Sequence, residues 1–197
     1  MAKIYVAITG GIGSGKSLVL QFLREMKFPV FSCDELYKQV IVSKEYIEKI
    51  EKLFPNAIKA GQIDRAKLSE IVFSDEEKRK QLNSLAHPLI IDLLLQNMKE
   101  AEGDIAFAEV PLLFEGNFEN LFDNVIYITR ERSQRVAAIL QRDNISIEEA
   151  EKRIASQFDG TSEEGQKRLK NCNAKIIFND KSKEELKREI FEIISHL

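Results

Sequence analysis

Residues 8–17 read ITGGIGSGKS, and they follow directly on the apolar run Lys3–Ile8. Gly10-x-x-x-x-Gly15-Lys16-Ser17 is the full spelling of a phosphate-binding loop, in the strand–loop–helix setting such a loop requires. Glycines let backbone N–H groups approach phosphate oxygens without side-chain collision. A helix opening near Lys16 adds the positive end of its dipole. Lys16 is placed to neutralise the β- and γ-phosphates, and the Ser17 hydroxyl is a ligand for Mg²⁺. The loop names a nucleoside triphosphate as one ligand and is silent on the reaction.

Working outward, Lys3–Thr9 reads as a buried strand, and a helical stripe of Val19, Leu20, Phe22 and Leu23 follows it. Pro29 ends that helix, and Val30-Phe31 gives a short second strand. Residues 34–102 read as almost wholly helical, with Pro88 opening a new helix in its first turn. Ile105–Val110, Asn124–Thr129 and Lys175–Phe178 supply three more strands. Ser74/Glu77, Ser146/Glu149 and Ser182/Glu185 spell capping boxes at helix starts. Strands separated by helices predict an α/β fold with a parallel sheet. The two long excursions, after the second and the fourth strands, read as helical insertions on one domain.

Composition narrows the function classes. The chain has 197 residues, of which 44% are hydrophobic and 31% charged, the balance of a globular protein with one core. A net charge of −3 rules out a generally basic surface, so no nucleic-acid partner is expected and anions must be held by local clusters. Cys33 and Cys172 are too few for a disulfide framework and too far apart for a metal motif, which points to reduced thiols and a cytoplasmic setting. IIDLLL at 90–95 is broken by Asp92 and falls far short of the about 18 apolar residues of a membrane span, so no membrane partner is expected either.

Beyond the loop, the candidate chemistry rests on a few side chains. Asp34 follows the second strand at the sheet end that faces the phosphate crevice, where a carboxylate can accept the proton of an attacking hydroxyl or help hold the metal. The plain alternative is a cap for a helix over Glu35–Val42. Arg130, Arg132, Arg135, Arg142 and Arg153 crowd the second excursion. Arginines of a lid stabilise charge on a transferred phosphoryl group, while those of a solvated face only pair with Glu131, Glu148, Glu149 and Glu151. Arg142 is singled out because it lies where the helix gives way to the Asp143-Asn144 turn. His87 stands before a proline without a second metal-type ligand, and Glu109 and Glu115 flank PLLF, either approaching Mg²⁺ through water or tethering the loop.

Several motifs, in order, resemble the dephospho-CoA kinase family: ITGGIGSGKS at 8–17, VFSCDEL at 30–36, GQIDRAKLSEIVFSDEEKRKQLNSLAHPLI at 61–90, VPLLFE at 110–115, SQRVAAILQRD at 133–143, EEAEKRIASQ at 148–157 and NAKIIFND at 173–180. The resemblance covers nearly the whole chain. It implies a P-loop NTPase-type fold with a five-stranded parallel sheet flanked by helices, a helical substrate-binding insert and a lid. The corresponding spans are a core of about 1–33, 104–140 and 171–197, an insert of about 34–103 and a lid of about 141–170. It implies transfer of the γ-phosphate of ATP to the ribose 3′-hydroxyl of dephospho-CoA with Mg²⁺, the last step of coenzyme A synthesis, by a monomer or small homo-oligomer.

Residue by residue, the resemblance implies Asp34, Lys16 and Arg142 as catalytic. Gly11, Ile12, Gly13, Ser14, Gly15, Lys16, Ser17 and Leu18 would hold ATP, with Ser17 on Mg²⁺. Thr9, Asp34, His87 and Glu115 would face the acceptor. Four positions depart from the family pattern. Ser32 stands for a second Asp and Leu18 for a Thr. Lys38 replaces an Arg, keeping the charge and losing the bidentate fork. Lys175 replaces an acidic residue before the last strand. A nucleoside or nucleotide kinase and a non-catalytic ATP-binding regulator are the alternatives. A GTPase switch is set aside because Asn179-Asp180-Lys181 is not the order Asn-Lys-x-Asp that reads guanine.

Overall fold

The computed structural model describes residues 3–73 and 75–197, which cluster into two compact units, Phe31–Asn97 and the rest of the chain. In the larger unit, β1 (Ile4–Thr9) leads through the glycine loop into α1 (Lys16–Glu25), and β2 (Val30–Ser32) begins as the unit ends. The smaller unit carries α2 (Cys33–Val40), α3 (Lys44–Leu53), a hairpin of β3 (Ile58–Lys59) and β4 (Gln62–Ile63), α4 (Arg65–Phe73) and most of α5 (Glu76–Glu100). The chain then returns to the larger unit with β5 (Ile105–Glu109), β6 (Asn124–Thr129), α6 (Arg132–Asp143), α7 (Ile147–Ala155), α8 (Glu163–Asn171), β7 (Lys175–Phe178) and α9 (Lys183–Ile194).

The main sheet has the order β2-β5-β1-β6-β7, and β1 pairs in parallel with both β5 and β6, as β6 does with β7. Central parallel strands are covered on both faces, which is why β1 and β6 are continuous apolar runs rather than alternating ones. Val6, Ile8, Phe107, Ile126, Ile128 and Ile177 form one core with Val19, Leu20, Phe22 and Leu23 of α1 and Leu186, Ile190 and Ile194 of α9. Each such side chain taken out of water contributes roughly 1.5–3 kcal/mol before entropy is counted. This face fixes where β1 ends and therefore where the loop begins. Ser182 and Glu185 complete the capping box that opens α9. Lys3 Nζ donates to the carbonyls of Met98 (3.2 Å), Lys99 (3.1 Å) and Ala101, placing a cation on the last turn of α5.

Four expectations need correction or completion. The stretch 34–102 is not wholly helical, since β3 and β4 pair antiparallel with Ile58 opposite Ile63. Ala60 and Gly61 turn the hairpin with φ of 51° and 73°, the left-handed pair that a two-residue turn demands. Pro88 does not open a helix but lies inside the 25-residue α5. Its ring removes one hydrogen bond, while Ala86, Ile90, Ile91 and Leu94 are buried on either side and hold both halves of the helix. The helix after β2 is Cys33–Val40 with Ser32 at its N-cap, so Asp34 sits inside the first turn instead of capping it. At α7, Ser146 accepts from the Glu149 N–H as expected, but the Glu149 carboxylate turns to Arg153 at 3.0 Å. The expected box at Ser74 falls outside the described residues; beside it, Asp75 accepts from the Lys78 N–H at 3.1 Å.

Candidate active site

The loop between β1 and α1 takes its shape from two constraints. Gly15 is the N-cap of α1 in the left-handed region (φ 90°), and no side chain caps the helix, so no side chain takes up its first N–H groups. The first turn of α1 carries no acidic residue either. An uncapped helix start without local negative charge is an anion site. At Gly13, φ is 78° and a Cβ would stand 2.6 Å from the Arg135 carbonyl oxygen, so no larger residue fits. Lys16 folds back over the loop, donating to Gly10 O at 2.7 Å and Gly11 O at 3.2 Å. Ser17 is exposed at the helix start, whereas Ser14 is buried and its hydroxyl has no partner.

Beneath the loop, Asn179 is the main prop. It is 7% exposed, and its Nδ2 donates to the Ser14 carbonyl at 2.8 Å, while its own N–H bonds Thr129 O at 2.9 Å. The end of β7 thus supports the loop from below. Thr9, the last residue of β1, is likewise buried.

The arginine brought to the loop is Arg135. Its Nε donates to Ile12 O at 3.0 Å, and burial pushes its pKa down. Arg142 lies two turns further along α6, on the same face, roughly 10 Å beyond Arg135. Its guanidinium is mostly exposed and grips Asp143 with Nε at 2.6 Å and Nη2 at 2.9 Å. Arg153 bonds the same carboxylate at 2.8 Å. The hydrogen bonds to Asp143 raise the Arg142 pKa, and they hold the Asp143 carboxyl below its ordinary range.

Glu115 is exposed, and its carboxylate accepts from the Phe158 N–H at 2.8 Å. Phe158 stacks on Phe114 with ring centroids 4.0 Å apart, and Tyr127 meets both rings edge-on. Arg168 lies over the Phe114 ring and also pairs with Glu119. Gln157 reaches the other way and accepts from the Ile12 N–H at 2.6 Å. Of the residues expected at the site, Thr9, Gly11–Leu18, Glu115 and Arg142 all belong to the larger unit. Asp34 and His87 belong to the smaller one, Asp34 exposed in the first turn of α2 and His87 half-buried in α5.

Arg135 as the loop's own arginine, Gln157 and Asn179 escaped the sequence reading. Arg135 carried a signal, standing seven residues before Arg142 and so on its helix face. Gln157 and Asn179 carried none, since their contacts span 145 and 165 residues. Among the described residues no cluster of His, Cys, Asp or Glu is arranged to hold a metal by itself, and no helix is long and apolar enough to cross a membrane.

Known proteins share both the sequence pattern and this architecture. The family model for dephospho-CoA kinase matches residues 4–185. A dephospho-CoA kinase of Thermus thermophilus is 34% identical over 194 residues, covering 98% of this chain and 92% of that protein. A Thermus thermophilus crystal structure superposes with a TM-score of 0.82 at 34% identity, covering 100% of this chain and 99% of its own. The dephospho-CoA kinase of Campylobacter jejuni gives a TM-score of 0.63 at 29% identity, covering 98% and 97%. An uncapped helix start with a folded-back lysine is common to many phosphate binders, but a family match spanning the loop, both excursions and the last strand is not, and this chain belongs to the dephospho-CoA kinase family.

Proposed function

We propose that the chain transfers the γ-phosphoryl group of ATP to the 3′-hydroxyl of dephospho-CoA, giving CoA and ADP. The observation that carries the nucleotide half is the start of α1: a helix end without a side-chain cap, Lys16 and a loop admitting no side chain at Gly13. Gly11–Leu18 wrap the triphosphate, and Lys16 leaves its two carbonyls to meet the phosphates. The Ser17 hydroxyl, exposed in the first turn, fits a Mg²⁺ ligand, and the ion when bound supplies charge neutralisation between the phosphates.

In this reading the smaller unit, close to the insert of about 34–103, receives the acceptor, with His87 on its side. The 141–170 excursion serves as the lid. Asp34 takes the proton from the 3′-hydroxyl as its oxygen attacks phosphorus, and its exposure leaves it open to a substrate. Arg142 would exchange one of its contacts with Asp143 for the transferring phosphoryl group, whose charge it stabilises. Thr9 lies buried at the loop's entry, and Glu115, already holding Phe158, has a second oxygen for an acceptor hydroxyl. Cys33 and Cys172 are not joined in a disulfide, which suits a reducing, cytoplasmic setting.

The test is incubation of the purified protein with Mg·ATP and dephospho-CoA, following CoA and ADP in equal amounts. Turnover of a nucleoside or nucleotide with no CoA formed would overturn the assignment. Loss of product on adding EDTA, with recovery on adding back Mg²⁺, tests the metal.

A further inference from the structure

The Ile12 peptide groups are held from both sides by residues outside the loop. Gln157 Oε1 accepts from the Ile12 N–H at 2.6 Å, and Arg135 Nε donates to the Ile12 carbonyl at 3.0 Å. Arg135 is also the loop's nearest wall. A Cβ at Gly11 would fall 2.2 Å from its Nη2, and a Cβ at Gly13 2.6 Å from its carbonyl oxygen. Half-burying a guanidinium opposes its charge, and Arg132 adds repulsion, with Tyr127, Asp159 and Glu151 acting in the opposite sense. A charged group carried to that depth to meet one carbonyl needs a reason beyond packing.

Peptide planarity supplies one. In a trans peptide the carbonyl of Ile12 and the N–H of Gly13 point in opposite directions. Fixing Ile12 O on Arg135 therefore turns the Gly13 N–H away from α6. The peptide before it is fixed in the same manner, with Ile12 N–H on Gln157 and Gly11 O on Lys16 and the Ser14 N–H. Glycine at position 13 is free to flip its peptide, so without an external hold the direction of that N–H would be undetermined.

We propose that Arg135 is a positioning residue that orients the Ile12–Gly13 peptide so that the Gly13 N–H is presented to the triphosphate, with Gln157 as the opposing half of a clamp. The proposal rests on the reading that the loop binds ATP, and it concerns the donor alone. Ordering the peptide before the ligand arrives removes that cost from binding. Arg135 thereby acts on ATP affinity without touching the acceptor.

The experiment compares wild type with Arg135→Met, which keeps the aliphatic stem and removes the donor, and with Arg135→Lys, which restores a cationic donor. ATP binding is measured by calorimetry, KM is measured separately for ATP and dephospho-CoA, and melting is followed without nucleotide. The expected result is ATP affinity weakened about tenfold or more in Arg135→Met, reflecting one misdirected hydrogen bond to a charged group. The KM for dephospho-CoA should stay within about twofold, and Arg135→Lys should recover part of the loss. Unchanged ATP affinity in Arg135→Met overturns the proposal, as does a lysine variant no better than methionine. A parallel rise of both KM values with a lowered melting temperature would overturn it in favour of a packing role. Arg135→Leu, which likewise removes the donor, is read in the same way should the methionine variant fail to fold. A wild type that binds ATP but does not act on dephospho-CoA defeats the proposed substrate and leaves this test intact.

Discussion

Asn179→Ala is the substitution whose cost can be worked most directly from the structure. Asn179 is 7% exposed, and its amide nitrogen is 2.8 Å from the Ser14 carbonyl, which leaves the donor assignment in no doubt because a carbonyl can only accept. Removing the amide loses one intramolecular hydrogen bond, about 1 kcal/mol net, and strands a buried carbonyl at a further 1 kcal/mol or more. A total of about 2 kcal/mol in a chain of this length corresponds to a fall in melting temperature of about 4–8 °C. The Asn179 backbone bond to Thr129 is retained, so β7 itself should not detach.

Asn179→Asp sharpens the test, because a carboxylate would set a second acceptor against the Ser14 carbonyl. That carboxyl would have its pKa raised in the folded protein, so the variant should be least impaired below the ordinary carboxylate value of about 4 and lose stability as pH rises through the raised value. Differential scanning fluorimetry of both variants from about pH 3 to pH 8 reads all of this. A melting temperature for Asn179→Ala within about 1 °C of wild type would refute the view that β7 props the loop.

Three other outcomes are expected. Asp34→Asn should lower turnover by about 10²-fold or more with ATP affinity retained in calorimetry; near-normal turnover would remove Asp34 as the general base. Gly13→Ala forces a left-handed backbone on a residue with a Cβ 2.6 Å from the Arg135 carbonyl, so ATP binding should weaken at least tenfold in the same calorimetric titration. Hydrogen bonds from Thr161 hold the Asp159 pKa below its ordinary value, and those from Ser182 do the same for Glu185. Their stabilising effect is then complete above about pH 4 and disappears as pH falls through the lowered values, so the acid limb of a melting-temperature profile should become shallower in Asp159→Asn.

What the sequence made legible was what local chemistry determines. The Gly10–Ser17 spacing announced both the end of β1 and the start of α1, because a glycine turn and a helix start leave local marks. Continuous apolar runs gave β6 to the residue and β1 to within one, starting it at Lys3 instead of Ile4, since burial on both faces admits no alternation. The β3–β4 hairpin was hidden because its turn uses Ala60, a residue type that gives no warning of positive φ. Pro88 misled because its local effect is to break a helix, and only the buried residues around it keep α5 whole. At the site, the loop and its lysine were readable in one stretch. Arg142 stood out by its place before a turn, but the arginine on the loop is Arg135, a distinction that depends on which turn of α6 meets Ile12. Tertiary approach of that kind has no local spelling.

The braces on residues 157–160 also divide the excursion after β6 by susceptibility to attack. Gln157 is bonded to Ile12, Phe158 to Glu115 and Phe114, and Gly160 to the Tyr127 hydroxyl at 3.3 Å, so this irregular stretch has little freedom to enter a protease cleft. By contrast, Asn144, Ser146 and Ile147 are exposed where α6 turns into α7. Brief digestion with a non-selective protease should therefore nick the chain around 142–147 and leave 157–160 uncut. The two fragments so produced should remain associated through the aromatic stack that joins Phe114, Tyr127 and Phe158.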